Sequence, residues 1–226
     1  MLSKEPNEEI LNALATIAPS LRQRIGDDTA HQLNDLVSSY GKESNVNSLR
    51  QEFNELFISS YSGRYIPPFE SAFRVTVETG RLSRPSEATC AELEACYVRF
   101  GFTPAKLKMD MRVKAFGWSD HIAIELAFLA FLLRTAGGRE ETGRLDFTRM
   151  FAQRHVNEWI AIFSDILFQQ SATAYFKFVA QLLREIVKLN ERLTESSTCP
   201  PTRLETGIAP DNAALKASRS PMGRRY

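Results

Sequence analysis

The chain is poor in the residues that build disulfide frameworks and structural zinc sites. It has three cysteines among its 226 residues, Cys90, Cys96 and Cys199, and none stands in a CxxC spacing. An odd number of thiols without a nearby histidine argues against both kinds of site and favours a reducing compartment. The net charge of +1 gives no overall field that would attract nucleic acid or an anionic membrane. We therefore predict a partner that is recognised locally.

Long apolar runs are also missing. The longest, residues 126–133, falls well short of the roughly 20 residues that a bilayer-spanning helix needs, so stable membrane insertion is not predicted. The first residues turn acidic at Glu8 and Glu9 and lack the apolar core of a secretory signal. These features predict a soluble, cytoplasmic protein.

The motifs of common enzyme chemistry are absent as well. The sequence contains no phosphate-binding loop, no nucleophile elbow and no glycine-rich dinucleotide fingerprint. The histidines, His31, His121 and His155, do not stand in a metal-ligand spacing. We predict a protein that is not an enzyme and that carries neither a metal nor a cofactor.

Helical periodicity is what the sequence does contain. Apolar residues recur at intervals of three or four along residues 10–193, and no convincing strand pattern interrupts them. This predicts an all-α, single-domain helical bundle of about seven or eight helices. We expect residues 1–195 to form that domain. Residues 196–226 lose the periodicity, are rich in Pro, Ser, Ala and Arg, and are expected to form a disordered basic tail.

Three ionisable residues open an otherwise apolar helix that is predicted from Ser119 to Gly137. They are Asp120, His121 and Glu125, and the last two share one helix face because they are four positions apart. If Ser119 caps the helix and Asp120 lies in its first turn, the start of the helix is explained without any ligand. The same residues could instead belong to a binding site, and the pattern leaves both interpretations open.

A series of motifs carries a family resemblance. They are Phe53-x-x-Leu56-Phe57, Pro67-Pro68-Phe69-Glu70-Ser71, Tyr97-x-x-Phe100-Gly101-Phe102 and Asp120-His121-x-x-x-Glu125-Leu126-x-Phe128-Leu129, then His155-Val156-x-x-Trp159 and Tyr175-x-x-x-Val179-Ala180-x-Leu182-Leu183. In this order and spacing, over roughly residues 8–193, the chain resembles the TorD/DmsD/NarJ family of redox-enzyme maturation chaperones. Members of that family usually have a proline directly before the Asp-His pair, where this chain has Ser119.

The resemblance implies a cytoplasmic, all-helical chaperone of anaerobic respiration. Its partner would be the precursor of a molybdopterin-containing oxidoreductase, recognised before export by the twin-arginine leader or N-terminal segment of the catalytic subunit. The chaperone would assist cofactor insertion and prevent premature translocation. A structural or assembly adaptor that binds a folded redox-enzyme subunit is one alternative. A metal-dependent all-α hydrolase using His121 and Glu125 is a weaker one, and the formation of a homodimer is left open.

The resemblance also suggests where a leader would bind. Two guanidinium groups followed by an apolar segment require carboxylates beside an apolar, aromatic groove. The hypothesis is that carboxylates receive the leader cations, that a histidine orients them and that aromatic rings line the apolar side. The carboxylates are Asp120 and Glu125 with Glu70 as a further candidate, the histidine is His121, and the rings are Tyr61, Tyr65, Phe69 and Trp118.

Overall fold

The computed structural model describes residues 43–79, 86–112, 117–135 and 141–195, with isolated positions among the first sixteen residues. Within these ranges it contains seven α-helices and no β-strand, which confirms the all-α prediction. In chain order they are α1 (Glu43–Phe57), α2 (Glu70–Thr79), α3 (Glu87–Arg99), α4 (Ile122–Arg134), α5 (Glu141–Ala152), α6 (Glu158–Gln170) and α7 (Ala174–Glu195). A short 3-10 turn, Pro104–Lys106, precedes α4, and a π-helical turn, Gln153–Asn157, joins α5 to α6. The helices predicted before residue 43 and the basic tail 196–226 lie outside the described residues.

The helices pack around one core with an aromatic centre. α7 packs most extensively against α6, α2 also lies against α6, and α4 lies against α5. Phe57 and Phe73 contact Phe163 with ring centroids 6.3 and 5.8 Å apart, and Phe128 contacts Phe151 at 4.9 Å. All of these side chains are at most 2% exposed. Such rings bury large apolar areas and are the main packing units of the core.

The apolar helix predicted from Ser119 is α4, and it begins later than expected. Its first residue is Ile122, because the backbone of His121 is extended and the His121 side chain accepts a hydrogen bond from the N–H of Ala123. The helix cap is therefore His121 and not Ser119, and the helix ends at Arg134. Its buried positions confirm the prediction of a helix packed inside the domain. No helix in the described part of the chain is both long and apolar enough to cross a bilayer.

A glycine ends α3. Gly101 has a φ of +68°, and its N–H donates to the carbonyl oxygen of Val98. The N–H of Phe102 donates to the carbonyl oxygen of Tyr97, which completes the usual pattern of a glycine-terminated helix. This turn brings Phe102 back against Tyr97, with ring centroids 5.4 Å apart.

A buried carboxylate ties the turn between α6 and α7 to α1. Glu52 is 4% exposed and accepts hydrogen bonds from the N–H groups of Ala172 at 2.5 Å and Thr173 at 3.1 Å. Arg64 donates to Glu52 at 2.9 Å and to the carbonyl oxygen of Gln170 at 2.6 Å. Because these N–H groups lie directly before α7, Glu52 caps that helix from a distant part of the chain.

We expect Glu52→Ala to lower the free energy of unfolding by about 1–3 kcal/mol, because it removes the side-chain acceptor of two N–H groups before α7 and the buried ionic partner of Arg64. Urea unfolding followed by circular dichroism measures the loss. Glu55→Ala is the matched control, since Glu55 lies on the same helix and also pairs with Arg64 but is one-third exposed. Its effect should be much smaller, and equal losses for the two variants would contradict the capping role of Glu52.

Candidate functional site

The starts of α2 and α4 lie side by side. An antiparallel β-bridge pairs Phe69 with His121, and the N–H of Ile122 donates to the carbonyl oxygen of Pro68 at 3.0 Å. Proline at positions 67 and 68 disfavours helix immediately upstream, so α2 begins just after the bridge. The proline-containing loop and the ionisable residues before α4 therefore meet at one place.

Asp120 caps α2, whereas the sequence analysis placed it in the first turn of α4. Its carboxylate is completely buried, and Oδ2 accepts hydrogen bonds from the N–H of Ser71 at 3.0 Å and from the Ser71 hydroxyl at 2.5 Å. The Cys90 thiol donates to Oδ1 at 3.4 Å. Ser71 is in the first turn of α2, where unpaired N–H groups and the helix dipole favour an anion. Burial, and then the Asp120 charge, raise the pKa of the Cys90 thiol to about 11.

His121 is a neutral hydrogen-bond donor. Burial lowers its pKa to about 3. Because Nδ1 accepts the N–H of Ala123 at 3.1 Å, the proton of the neutral ring is on Nε2. Nε2 is buried and has no hydrogen-bond partner among the residues that the structure describes. The ring is held from the side by Phe69, with centroids 5.5 Å apart.

Glu125 lies one turn along α4 and is completely buried. Its Oε2 accepts a hydrogen bond from the Trp159 indole N–H at 3.0 Å, while Oε1 has no partner within the described ranges. Burial, and then the negative charge of Glu70, raise the pKa of the Glu125 carboxyl well above its usual value. Burial therefore disfavours the ionised form of this side chain.

Glu70 is the centre of a buried ionic network behind these residues. It is fully buried and accepts a hydrogen bond from Nε of Arg74 at 2.7 Å. His155 Nδ1 lies 3.0 Å from the Glu70 carboxylate. His155 belongs to the π-helical turn, a local irregularity that often occurs at functional sites. Arg64 pairs instead with Glu52.

A cavity of about 380 Å³ opens beside the start of α4. Trp118 is half-buried in its wall, as expected for a large amphipathic side chain before a buried helix. The lining is mainly apolar and comprises Pro104, Ala105, Met109, Gly117, Trp118, Ser119, His121 and Ile124. The volume is within the usual range of small ligand pockets and suits one or two peptide side chains.

The structure brings only part of the predicted site to this cavity. Trp118 and His121 line it, and Phe69 supports His121 from behind. Tyr61 is 99% exposed and Tyr65 is half-buried, and neither is among the described lining residues. The predicted carboxylates, Glu70, Asp120 and Glu125, are all 0% exposed. Their burial favours a role in holding the two helix starts in place.

Sequence reasoning gave no role to several residues of the site. Trp159 donates to Glu125 and also to the His155 carbonyl oxygen at 2.8 Å, so it joins α4 to the π-helical turn. The hydroxyl of Ser119 donates to Oε1 of Glu94, an exposed residue of α3, at 2.5 Å. His155 and Trp159 were visible only as part of a family motif. Glu94 has no distinguishing pattern, since a glutamate on an exposed helix face is ordinary.

In the part of the chain that the structure describes, no group of three or more His, Cys, Asp or Glu side chains is placed to hold a metal ion. The buried acidic residues instead have donors from within the chain. Ser71 donates a hydrogen bond to Asp120, Arg74 donates one to Glu70, and Trp159 donates one to Glu125.

Comparison with known protein families gives one match. Residues 7–165 match the family model described as nitrate reductase delta subunit. No curated protein and no solved structure matches the chain. The matched range includes both helix starts, the cavity and the buried carboxylates.

Proposed function

The chain belongs to the nitrate reductase delta subunit family, a family of molybdoenzyme maturation chaperones, and we propose that it recognises the twin-arginine leader or N-terminal segment of a molybdopterin oxidoreductase precursor. Bound in the cytoplasm, the precursor would be held for cofactor insertion and kept from premature export. Members of this family bind molybdoenzyme subunits and are not catalysts. We place the function in residues 1–195 and assign no binding role to the tail 196–226.

The apolar cavity beside Trp118 is the observation that supports this proposal. An unfolded leader or N-terminal segment presents apolar side chains together with unpaired backbone groups. The cavity offers an apolar wall for the former, and one of its lining residues, His121, has an Nε2–H without a partner among the described residues for the latter. A half-buried tryptophan at the edge of such a cavity is a typical anchor in protein recognition.

The other predicted residues have supporting positions in this proposal. Asp120, Glu125 and Glu70 are positioning residues, because they fix the starts of α2 and α4 and thereby the orientation of His121. Phe69 supports the His121 ring. Tyr61 and Tyr65 are proposed as outer contacts for the part of the segment that extends beyond the cavity.

We expect Trp118→Ala to weaken binding of the precursor by about tenfold or more, because central aromatic anchors contribute most of the energy of such interfaces. The test is affinity purification of the tagged chain from its host during anaerobic respiratory growth, followed by mass spectrometry. A molybdoenzyme precursor that still carries its leader should be recovered, and deletion of that leader should reduce the recovery.

Met150→Ala is the matched control for this experiment, since Met150 is a half-exposed apolar residue of α5 outside the cavity lining. It should leave recovery unchanged. Equal recovery of the client with and without its leader and N-terminal segment would overturn the proposal and favour an adaptor that binds the folded subunit.

A further inference from the structure

One exposed carboxylate is connected directly to the wall of the cavity. Glu94 Oε1 accepts the Ser119 hydroxyl at 2.5 Å, and Ser119 lines the cavity next to Trp118 and His121. Glu94 makes no ion pair with any described residue. It therefore places a solvated negative charge at the rim, unlike the three buried carboxyl groups behind it.

His121, which lines the same cavity, has a ring N–H that the described part of the chain does not use. The side chain is 2% exposed, Nδ1 is occupied by the N–H of Ala123, and Nε2 has no partner among the described residues. A buried N–H without an acceptor costs free energy that a ligand acceptor would recover. A neutral imidazole N–H suits a carbonyl oxygen and cannot accept a hydrogen bond from a guanidinium.

Charges elsewhere around the cavity favour one position for a ligand cation. The loop that supplies Pro104, Ala105 and Met109 also carries Lys106 and Lys108, and both lysines are exposed. They would repel a cationic group placed on their side. The favourable position for a ligand cation is therefore the Ser119 side, next to Glu94.

We infer that the cavity binds its peptide in one orientation, with an apolar side chain beside Trp118, a backbone carbonyl on the Nε2–H of His121 and an arginine or lysine side chain on Glu94. This inference rests on the proposed function and names the residues that give it specificity. Glu94 is a specificity-determining residue, because it selects a cation next to the apolar anchor. Asp120 and Glu125 do not contact the cation.

The inference is tested by calorimetric titration of the full chain with a blocked synthetic peptide that has two adjacent arginines followed by an apolar segment. Glu94→Arg should weaken binding by about three- to tenfold, and a peptide with glutamates in place of the arginines should bind this variant better than it binds the unmodified chain. The loss should shrink at high salt. Glu191→Arg is the matched control, because it makes the same change of charge at an exposed position of α7.

His121→Asn tests the carbonyl contact separately. The asparagine oxygen can still accept the N–H of Ala123 and keep the helix cap, but the variant has no donor at the position of Nε2. We expect an unchanged midpoint of unfolding at neutral pH and an affinity about three- to tenfold lower for the arginine peptide. Unchanged affinity would overturn the assignment of this contact.

The outcomes also separate the inference from the proposed function. If the arginine peptide binds in a Trp118-dependent manner but Glu94→Arg has no more effect than Glu191→Arg, the inference is wrong and the proposed function stands. Preference of the unmodified chain for the glutamate peptide would likewise overturn the inference. If neither peptide binds and the client is recovered equally well without its leader and N-terminal segment, both are wrong.

Discussion

Replacement of Asp120 by alanine is expected to lower the free energy of unfolding by about 3–5 kcal/mol, because hydrogen bonds to a charged group contribute about 1.5–3 kcal/mol each. The carboxylate accepts the N–H and the hydroxyl of Ser71 and the thiol of Cys90, all in the interior. Alanine would remove the shared acceptor of these donors and the anion at the start of α2. Urea unfolding followed by circular dichroism measures the change.

Two further variants identify the cause of this loss of stability. Asp120→Asn keeps an oxygen that can accept from Ser71 but has no charge, so its loss should be smaller than that of alanine. Glu94→Ala removes an exposed carboxylate and should change the free energy of unfolding by less than about 0.5 kcal/mol. If Asp120→Ala unfolds at the same urea concentration as the unmodified chain and yet loses its client, Asp120 contacts the client and its capping role is wrong.

The helical architecture could be predicted because its determinants are local in sequence. The apolar residues of α4 indicate a buried helix, since an exposed helix would have a polar face. Gly101 ends α3 because the left-handed backbone that it adopts at φ +68° suits glycine. The start of α4 was misplaced because Ser119, Asp120 and His121 can all cap a helix, and the sequence does not show which of them has the extended backbone.

The candidate site was only partly predictable because its contacts join distant positions. Asp120 and Ser71 are 49 residues apart, so the sequence indicates an acidic residue near a helix start but not which helix it caps. Glu125 is buried in contact with Trp159, which lies 34 residues further along the chain, so its burial is not visible in the local sequence. The position of Trp118 directly before an apolar helix already restricts its surroundings, and the structure places it in the wall of the cavity.

The Asp-His pair thus acquires a physical explanation that is independent of any ligand. Asp120 caps α2 through Ser71, His121 caps α4 through Ala123, and the bridge between Phe69 and His121 holds the two starts together. One consequence is that the His121 ring, which lines the cavity, is held in a fixed orientation. The same pair can therefore serve stability and recognition, with each residue in a different role.

The second large effect concerns pH, because burial disfavours the charged forms of His121 and Glu125. Burial lowers the pKa of His121 to about 3, so as pH falls below about 6.5 the unfolded chain binds a proton that the folded chain does not, and stability decreases. Burial and Glu70 raise the pKa of Glu125, so as pH rises above about 4.5 the unfolded chain releases a proton that the folded chain keeps, and stability again decreases. Each contribution changes by about 1.4 kcal/mol per pH unit between the folded and unfolded pKa values.

The two contributions have opposite signs where their ranges overlap, above about pH 4.5 and below about pH 6.5. We expect Glu125→Gln to remove the loss that Glu125 causes, so that the difference in free energy of unfolding changes in favour of this variant as pH rises above about 4.5. The amide oxygen can still accept the Trp159 N–H, which keeps the packing comparable. Urea unfolding at each pH provides the difference between the two chains, in which the titration of groups common to both cancels. Glu94→Gln is the matched surface control, because it makes the same replacement at an exposed position. A flat difference for Glu125→Gln, or the same change with pH in both variants, would contradict the role of burial in raising the pKa of Glu125.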